Sequence, residues 1–480
     1  MLLRSMGLVS ALNIAKALAT FGASLLLARY VPPADFGLVS FAMPLMLLLT
    51  LLTDLGLASA VLRAPELAPR VIGAAHALLL IVGGLGAGLL VLAAAALERA
   101  SGLPGLAHVL HAFALVAWLS IAAVLPRALL ERRFDYGGIV RAELLALGAA
   151  VLGFLLLLAA GAGLDALLAF HLLLQGLRAA VLNWRARADC RPQRDLALAR
   201  PLLGIGAWVM ASNLVGYAAR NVDRFIVGSV LGAAALGLYG MAYQFMIVPL
   251  MLMAWPVSGV LLNALSRLGP ASPRRAPLVL AVLSLTATLA GGCAALVVVG
   301  LPYVVGAVLN PRWAPLPGLV LWLMPLGVLQ AVAAYGGAVF FAAGSERLQF
   351  VLTVLNAAFV CVAFAVFSRE GIEVAVMAYT AASVAVSLLV LVKMAHSIGV
   401  APGRLFAAVL PGLVLCALPL AVSAVAGSQL QSFGGWTLAL AATLTWCALV
   451  CVFLRHRLRD AIAALREVRH IGKAHEQHAE

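Results

Sequence analysis

The feature that most constrains this chain is a recurrence of apolar runs of about twenty residues, separated by short turns, from the first residues to near Leu454. A run of that length covers the hydrocarbon of a bilayer as a helix. Spanning strands would be shorter and would alternate in polarity, and the sequence holds no such pattern. In hydrocarbon every backbone amide and carbonyl needs a partner inside the protein, and a helix supplies its own. The chain is 64% hydrophobic and 10% charged, far from the balance of a water-soluble globule. The expected fold is an all-α membrane protein with about fourteen transmembrane helices.

Charge sets the sidedness. The net charge is +14, but the basic residues sit in short loops between apolar runs, so nucleic acid is not an expected partner. Loops on alternate sides differ sharply. With a cytoplasmic N-terminus, only Arg29, Arg99, Arg312 and Arg369 face outward, and Lys16, Arg178, Arg220 and Arg224 fall inside spans. All other Lys and Arg lie on the cytoplasmic side, which places both termini there. The start, Arg4 followed by an apolar run, resembles a signal peptide. That run is too long and carries Asn13 and Lys16, so it reads as a retained first span.

Six spans fill residues 1–184: roughly 1–28, 38–60, 71–97, 106–125, 142–162 and 166–184, with residues 29–37 as the first turn. A basic loop, Arg127 to Arg141, separates the fourth from the fifth, and Glu143 stands at the margin of the fifth. Residues 185–200 form a basic cytoplasmic linker containing Pro192. Residues 201–392 form a second set of six spans, 393–454 an additional helix pair and 455–480 a charged cytoplasmic tail. The halves repeat: Leu2-Leu3, Asn13, Gly37-Leu38 and Ala42 match Leu202-Leu203, Asn213, Gly237-Leu238 and Ala242 at one constant offset. Such repeats mark transporters, with the substrate site between them.

Charges within spans are costly and usually face a protein interior or a water-filled cavity. Arg220, Asp223 and Arg224 share one helical face by their spacing of three and four. Together with Lys16 and Arg178 they would give a cavity of net positive charge, suited to an anionic headgroup because arginine forks match phosphate oxygens. The alternative is structural pairing, Arg220 with Asp223 and Lys16 with Asp54. Asp54 can instead cap a helix or hold a coupling cation. Asn13 and Asn213 are further polar candidates. The six cysteines have no metal or redox spacing; Cys447 and Cys451 pack on one helix face. Catalytic motifs are absent from the sequence, and the outward loops are too short for a catalytic domain, so no enzyme is expected.

Several stretches together resemble a known family: Leu27-Ala28-Arg29-Tyr30, Asp35-Phe36-Gly37, Asp54-Leu55-Gly56, Asn221 to Gly228, Leu231 to Tyr239, Ala242-Tyr243 and Pro249. They are similar to the polysaccharide-transporter branch of the multidrug/oligosaccharidyl-lipid/polysaccharide exporter superfamily, which includes O-antigen, capsule and exopolysaccharide flippases. The resemblance implies two six-helix bundles around a central cavity, two extra C-terminal helices, and movement of an undecaprenyl-pyrophosphate-linked oligosaccharide across the bacterial inner membrane. It implies cavity-lining roles for Lys16, Arg220 and Arg224. Expected partners are the lipid-linked oligosaccharide, the bilayer and other membrane proteins of glycan assembly. No cofactor is implied, and coupling to H+ or Na+ stays open. The rival readings are a cation-coupled multidrug exporter of the same superfamily and a non-transporting component or enzyme of glycan assembly.

Overall fold

In the computed structural model the described residues form helices joined by turns, with no strand among them. The backbone is described for residues 2–63, 68–269, 272–426, 432–453 and 455. Within that range the side chains of residues 2–14, 63, 201, 203–213, 215–216, 218–220, 426, 433, 451 and 453 are not described. Cys451 therefore lies outside the described side chains, and the expected tail beyond residue 455 lies outside the described residues. Eleven described helical stretches are long and apolar enough to cross a membrane. Two shorter apolar helices, Ala15–Ala28 and Gly434–Val450, accompany them. The chain divides into two compact units, Met1–Gly237 and Leu238–Glu480.

The first unit begins with α1 (Leu2–Ala28), α2 (Pro33–Asp54), the short α3 (Leu57–Arg63) and α4 (Pro69–Ser101). It continues with α5 (Leu106–Ala122), α6 (Val124–Arg132), α7 (Tyr136–Ala159) and α8 (Leu164–Arg185). Proline opens α2 and α4, where its missing N–H costs nothing. Between α2 and α3 the chain passes through Leu55 and Gly56, both at positive φ. Asp135 caps α7, its side chain accepting from the Gly138 amide at 2.8 Å.

Two expectations change here. The basic stretch after Arg127 is not a loop: helix continues to Arg132, and Asp135 starts the next helix six residues ahead of the expected span. Glu143 is accordingly not marginal but 1% exposed inside the unit. Helix carries on through these charges because they find partners within the protein, described below.

The 186–199 linker is docked rather than loose. Its Gln193 amide donates to the Gly73 carbonyl at 3.2 Å, and Asp189 pairs with Arg133 at 2.6 Å. Cys190 and Ala199 join a buried cluster with Ile72, Ala74, Ala75 and Leu79. Gly73 is required at this seam, because a methyl there would overlap the Arg191 carbonyl.

α9 (Arg200–Pro249) is broken at Gly232 (φ 82°, ψ 179°). The stretch Asn221–Leu268 has 48 residues and would run about 72 Å as one straight helix, too long for a single crossing of about 30 Å. The break falls within the glycine-rich turn expected between the seventh and eighth spans. Just beyond it the repeat becomes physical. A methyl on Gly37 would overlap the Ala233 carbonyl, and one on Gly237 would overlap the Pro33 carbonyl. Pro33 corresponds to Ala233, and Gly37 to Gly237, at the repeat offset. The two contacts are therefore the same contact made twice, and small residues permit the backbones to approach.

The second unit contains a π-helical turn over Leu250–Ala254 and then α10 (Trp255–Leu268) and α11 (Arg275–Ala307). It goes on through α12 (Leu316–Ala333), α13 (Gly336–Ala342), α14 (Glu346–Phe367), α15 (Ile372–Ser397), α16 (Pro402–Ala426) and α17 (Phe433–Phe453). Pro256 has no N–H to give to the turn before it, which accounts for the irregular turn at that place. The Tyr335 hydroxyl donates to the Met253 carbonyl at 3.3 Å and also meets the Thr286 hydroxyl at 2.8 Å. Such side-chain donors re-satisfy irregular backbone at membrane depth. The last two described helices, α16 and α17, fall within residues 393–454. α16 lies against α11 so closely that Gly291 and Gly412 leave no room for a Cβ.

Candidate functional site

Among the described residues of the first unit, the densest group of charges is centred on Glu143 of α7. Helix α7 packs against α1, α6 and α8, and each supplies one cation. Lys16 Nζ of α1 donates to Glu143 Oε2 at 2.7 Å. Arg127 Nη1 of α6 donates to Oε1 at 3.2 Å. Arg178 Nε of α8 lies 3.1 Å from the same Oε1, as an ion pair without hydrogen-bond alignment.

Both arginines have a second acceptor. Arg127 Nε donates to Glu131 Oε1 at 2.8 Å, one helical turn away. Arg178 Nη1 donates to Gln175 Oε1 at 3.0 Å. A lone carboxylate this deep would be strongly destabilising; three cations around it offset that penalty.

A cavity of about 580 Å³ adjoins this group. Thr50, Asp54, Arg127, Glu131, Arg178 and Tyr217 are among the residues that line it, and Glu143 is not. Arg127 and Arg178 therefore belong both to the cavity wall and to the shell of the buried carboxylate. Asp54 ends α2 beside the backbone amides of Gly56 and Ala58, and its Oδ1 is buried without a hydrogen-bond partner. The Tyr217 hydroxyl donates to the Pro44 carbonyl at 2.5 Å, tying α9 to α2 at the cavity. The group holds three basic residues, Lys16, Arg127 and Arg178, and three acidic ones, Asp54, Glu131 and Glu143.

The expected site residues divide accordingly. Lys16 and Arg178 converge on Glu143, and Asp54 and Arg178 share the cavity wall. The alternative Lys16–Asp54 pair does not form: Glu143 holds the ammonium. Asp223 is 6% exposed on α9 and Arg224 is half-buried; both make polar contacts, and neither lines this cavity. Asn13, Asn213 and Arg220 lie outside the described side chains. Sequence reasoning missed Arg127, Glu131 and Tyr217 as site residues. The one signal it had was the Arg127–Glu131 spacing of four, which reads equally well as a solvated helix face. Among the described residues there is no cluster of His, Cys, Asp and Glu able to hold a metal.

Residues 26–316 match a family described as polysaccharide biosynthesis protein. The chain is similar to the lipopolysaccharide biosynthesis protein WzxC of Escherichia coli K12, 26% identical over 257 residues, which is 50% of each chain. It is similar to the teichuronic acid biosynthesis protein TuaB of Bacillus subtilis 168, 33% identical over 94 residues, 18% of this chain and 19% of the relative. The alignments thus span about half the length, or less, of these curated relatives.

The fold is that of a solved structure of the lipid II flippase MurJ in its inward closed conformation, with a TM-score of 0.72 at 10% identity. That alignment covers 94% of this chain and 99% of the other. An inward-facing multidrug resistance transporter of the MATE family aligns at a TM-score of 0.65 and 14% identity, over 81% and 98% of the two chains.

Proposed function

The chain belongs to the polysaccharide biosynthesis protein family, and from that premise we propose that it is a flippase for a lipid-linked oligosaccharide. Its cargo is an undecaprenyl-pyrophosphate-linked repeat unit of O-antigen, capsule or exopolysaccharide, carried across the bacterial inner membrane by alternating access. The observation that carries this reading is the pair Arg127 and Arg178 on the wall of a cavity of about 580 Å³ in a multi-pass membrane protein. Guanidinium groups at membrane depth are costly, and they suit the phosphate oxygens of such a cargo. Arg220 and Arg224 are proposed to contribute from α9.

The work is binding and release across a bilayer, with no covalent step, so we assign no enzymatic activity. Asp54, whose Oδ1 has no partner, is the proposed group for coupling to H+ or Na+. Both termini are assigned to the cytoplasm from the loop distribution of Lys and Arg. Other membrane proteins of glycan assembly are proposed partners.

The test is the leaflet on which undecaprenyl-linked glycan accumulates in a strain deleted for this gene. Build-up on the cytoplasmic face, relieved by the wild-type gene but not by Arg178→Ala, is the expected result; Arg220→Ala and Arg224→Ala are run beside it. A normal outer-leaflet supply in the deletion strain overturns the reading.

A further inference from the structure

We propose that Glu143 is an internal stand-in for the phosphate of the substrate, and that it sets how tightly the site holds a pyrophosphate. This rests on the flippase reading and adds to it a residue that tunes specificity and release from behind the cavity wall.

The geometry has three parts. First, Glu143 is 1% exposed and does not line the cavity, whereas the two arginines that contact its Oε1 do. A phosphate entering the cavity would therefore reach the same two arginines that contact the carboxylate. Second, the carboxylate is shared unequally. Lys16 holds Oε2 at 2.7 Å, while Arg127 and Arg178 sit at Oε1 at 3.2 and 3.1 Å. If the arginines turn to a ligand, Glu143 keeps Lys16 and is not left as an unpaired buried charge, the arrangement that costs most. Third, Glu131 and Gln175 hold the arginines by separate bonds. Vacating Oε1 therefore does not release them from the wall.

The chemistry follows. A planar guanidinium binds phosphate oxygens in pairs of parallel hydrogen bonds, and neither arginine makes such a pair with Glu143. The carboxylate is thus the weaker of two anions that compete for the same donors. When the cavity is empty it satisfies cations that membrane depth would otherwise penalise. When the cavity is filled it pulls against the ligand. A carrier needs that opposition, because a site that binds too well does not let go.

The ligand class is a pyrophosphate, either free or as the headgroup of a polyprenyl lipid. The test measures binding of inorganic pyrophosphate and of farnesyl pyrophosphate to the purified full-length chain in detergent. Glu143→Gln keeps the shape and removes the competing charge. Glu143→Asp keeps the charge but withdraws it from the arginines. Affinity is expected to rise from wild type through Glu143→Asp to Glu143→Gln, the last by about tenfold or more. Adding Arg178→Ala to either variant abolishes the gain. If Glu143→Gln does not fold, the comparison of Glu143→Asp with wild type decides.

Equal or weaker binding by a folded Glu143 variant, or no pyrophosphate binding by any form, overturns the proposal. A gain confined to farnesyl pyrophosphate identifies the lipid headgroup as the ligand; a gain shared equally by inorganic pyrophosphate identifies the phosphates alone. Leaflet accumulation is scored separately. A chain that flips glycan while its pyrophosphate affinity ignores residue 143 loses the stand-in and keeps the flippase reading.

Discussion

The Lys16 ammonium bonds the Glu143 carboxylate at 2.7 Å across 127 positions of sequence. The bond joins the first helix of the chain to α7, and around it two arginines complete the shell of a carboxylate with almost no solvent contact. Neither partner is tolerable alone at that depth, so the pair couples the packing of α1 to that of the helices carrying Arg127 and Arg178.

Truncating the hub should be worse than truncating a spoke. Glu143→Ala leaves Lys16, Arg127 and Arg178 facing one another and should cost about 3–5 kcal/mol of stability. Lys16→Ala leaves Glu143 with two guanidinium partners and should cost about 1 kcal/mol. Thermal unfolding of the detergent-solubilised protein measures both, and a larger loss for Lys16→Ala than for Glu143→Ala would contradict the arrangement.

Two glycines should fail for different reasons. Gly37→Ala places a methyl on the Ala233 carbonyl, so the helices must separate, at about 1–3 kcal/mol. Gly232→Ala meets no atom within 4 Å but forces a side chain onto φ 82°, ψ 179°, a backbone cost of about 1–3 kcal/mol. Gly88 is helical with open space around it, and Gly88→Ala should stabilise by about 0.5–1 kcal/mol. Melting temperatures of the three variants should fall, fall and rise.

Cys190 should be chemically silent in the native protein. Burial, helped by the charge of Asp189, pushes its thiol up to about 12, and the residue is 4% exposed. A raised thiol pKa keeps the proton on through neutral pH, and the thiolate is the nucleophile. Maleimide labelling followed by peptide mapping should find Cys190 unmodified at pH 7.5 and modified only after denaturation. Labelling in the folded state would mean that the 186–199 segment is not docked on α4.

Membrane sidedness can be read with fusions. Alkaline phosphatase joined after Gly371 should be active, and joined after Gly269 inactive, because the first loop falls on the poorly charged side and the second on the Lys/Arg-rich side. The reverse pattern would invert the assigned orientation.

The individual helices follow from sequence alone. The α4, α5 and α8 ranges lie within a few residues of the expected spans, because hydropathy and turn residues are local and a bilayer accepts little but helix. The repeat was legible too, through Gly37 and Gly237, and these become the paired close contacts with Ala233 and Pro33. Arg127 illustrates what was not legible. A short run of charge after an apolar helix reads as a solvent loop. Helix continues there because Glu131 and Glu143 receive the arginine, and no window of sequence around Arg127 contains that second partner's position in space.

Sequence by itself determined that this chain is a many-helix membrane protein, where several of its spans begin and end, and that its motifs resemble those of a polysaccharide family. Each is a property of neighbouring residues or of composition along one dimension. Only the tertiary structure decided which charges meet: Lys16 with Glu143 and not Asp54, Arg127 and Arg178 on one oxygen, Asp54 on the cavity wall. The physical reason is that a buried charge is stabilised by whatever opposite charge helix packing brings within a few ångströms. In this protein the packing of α1, α6 and α8 around α7 sets that proximity, not separation along the chain.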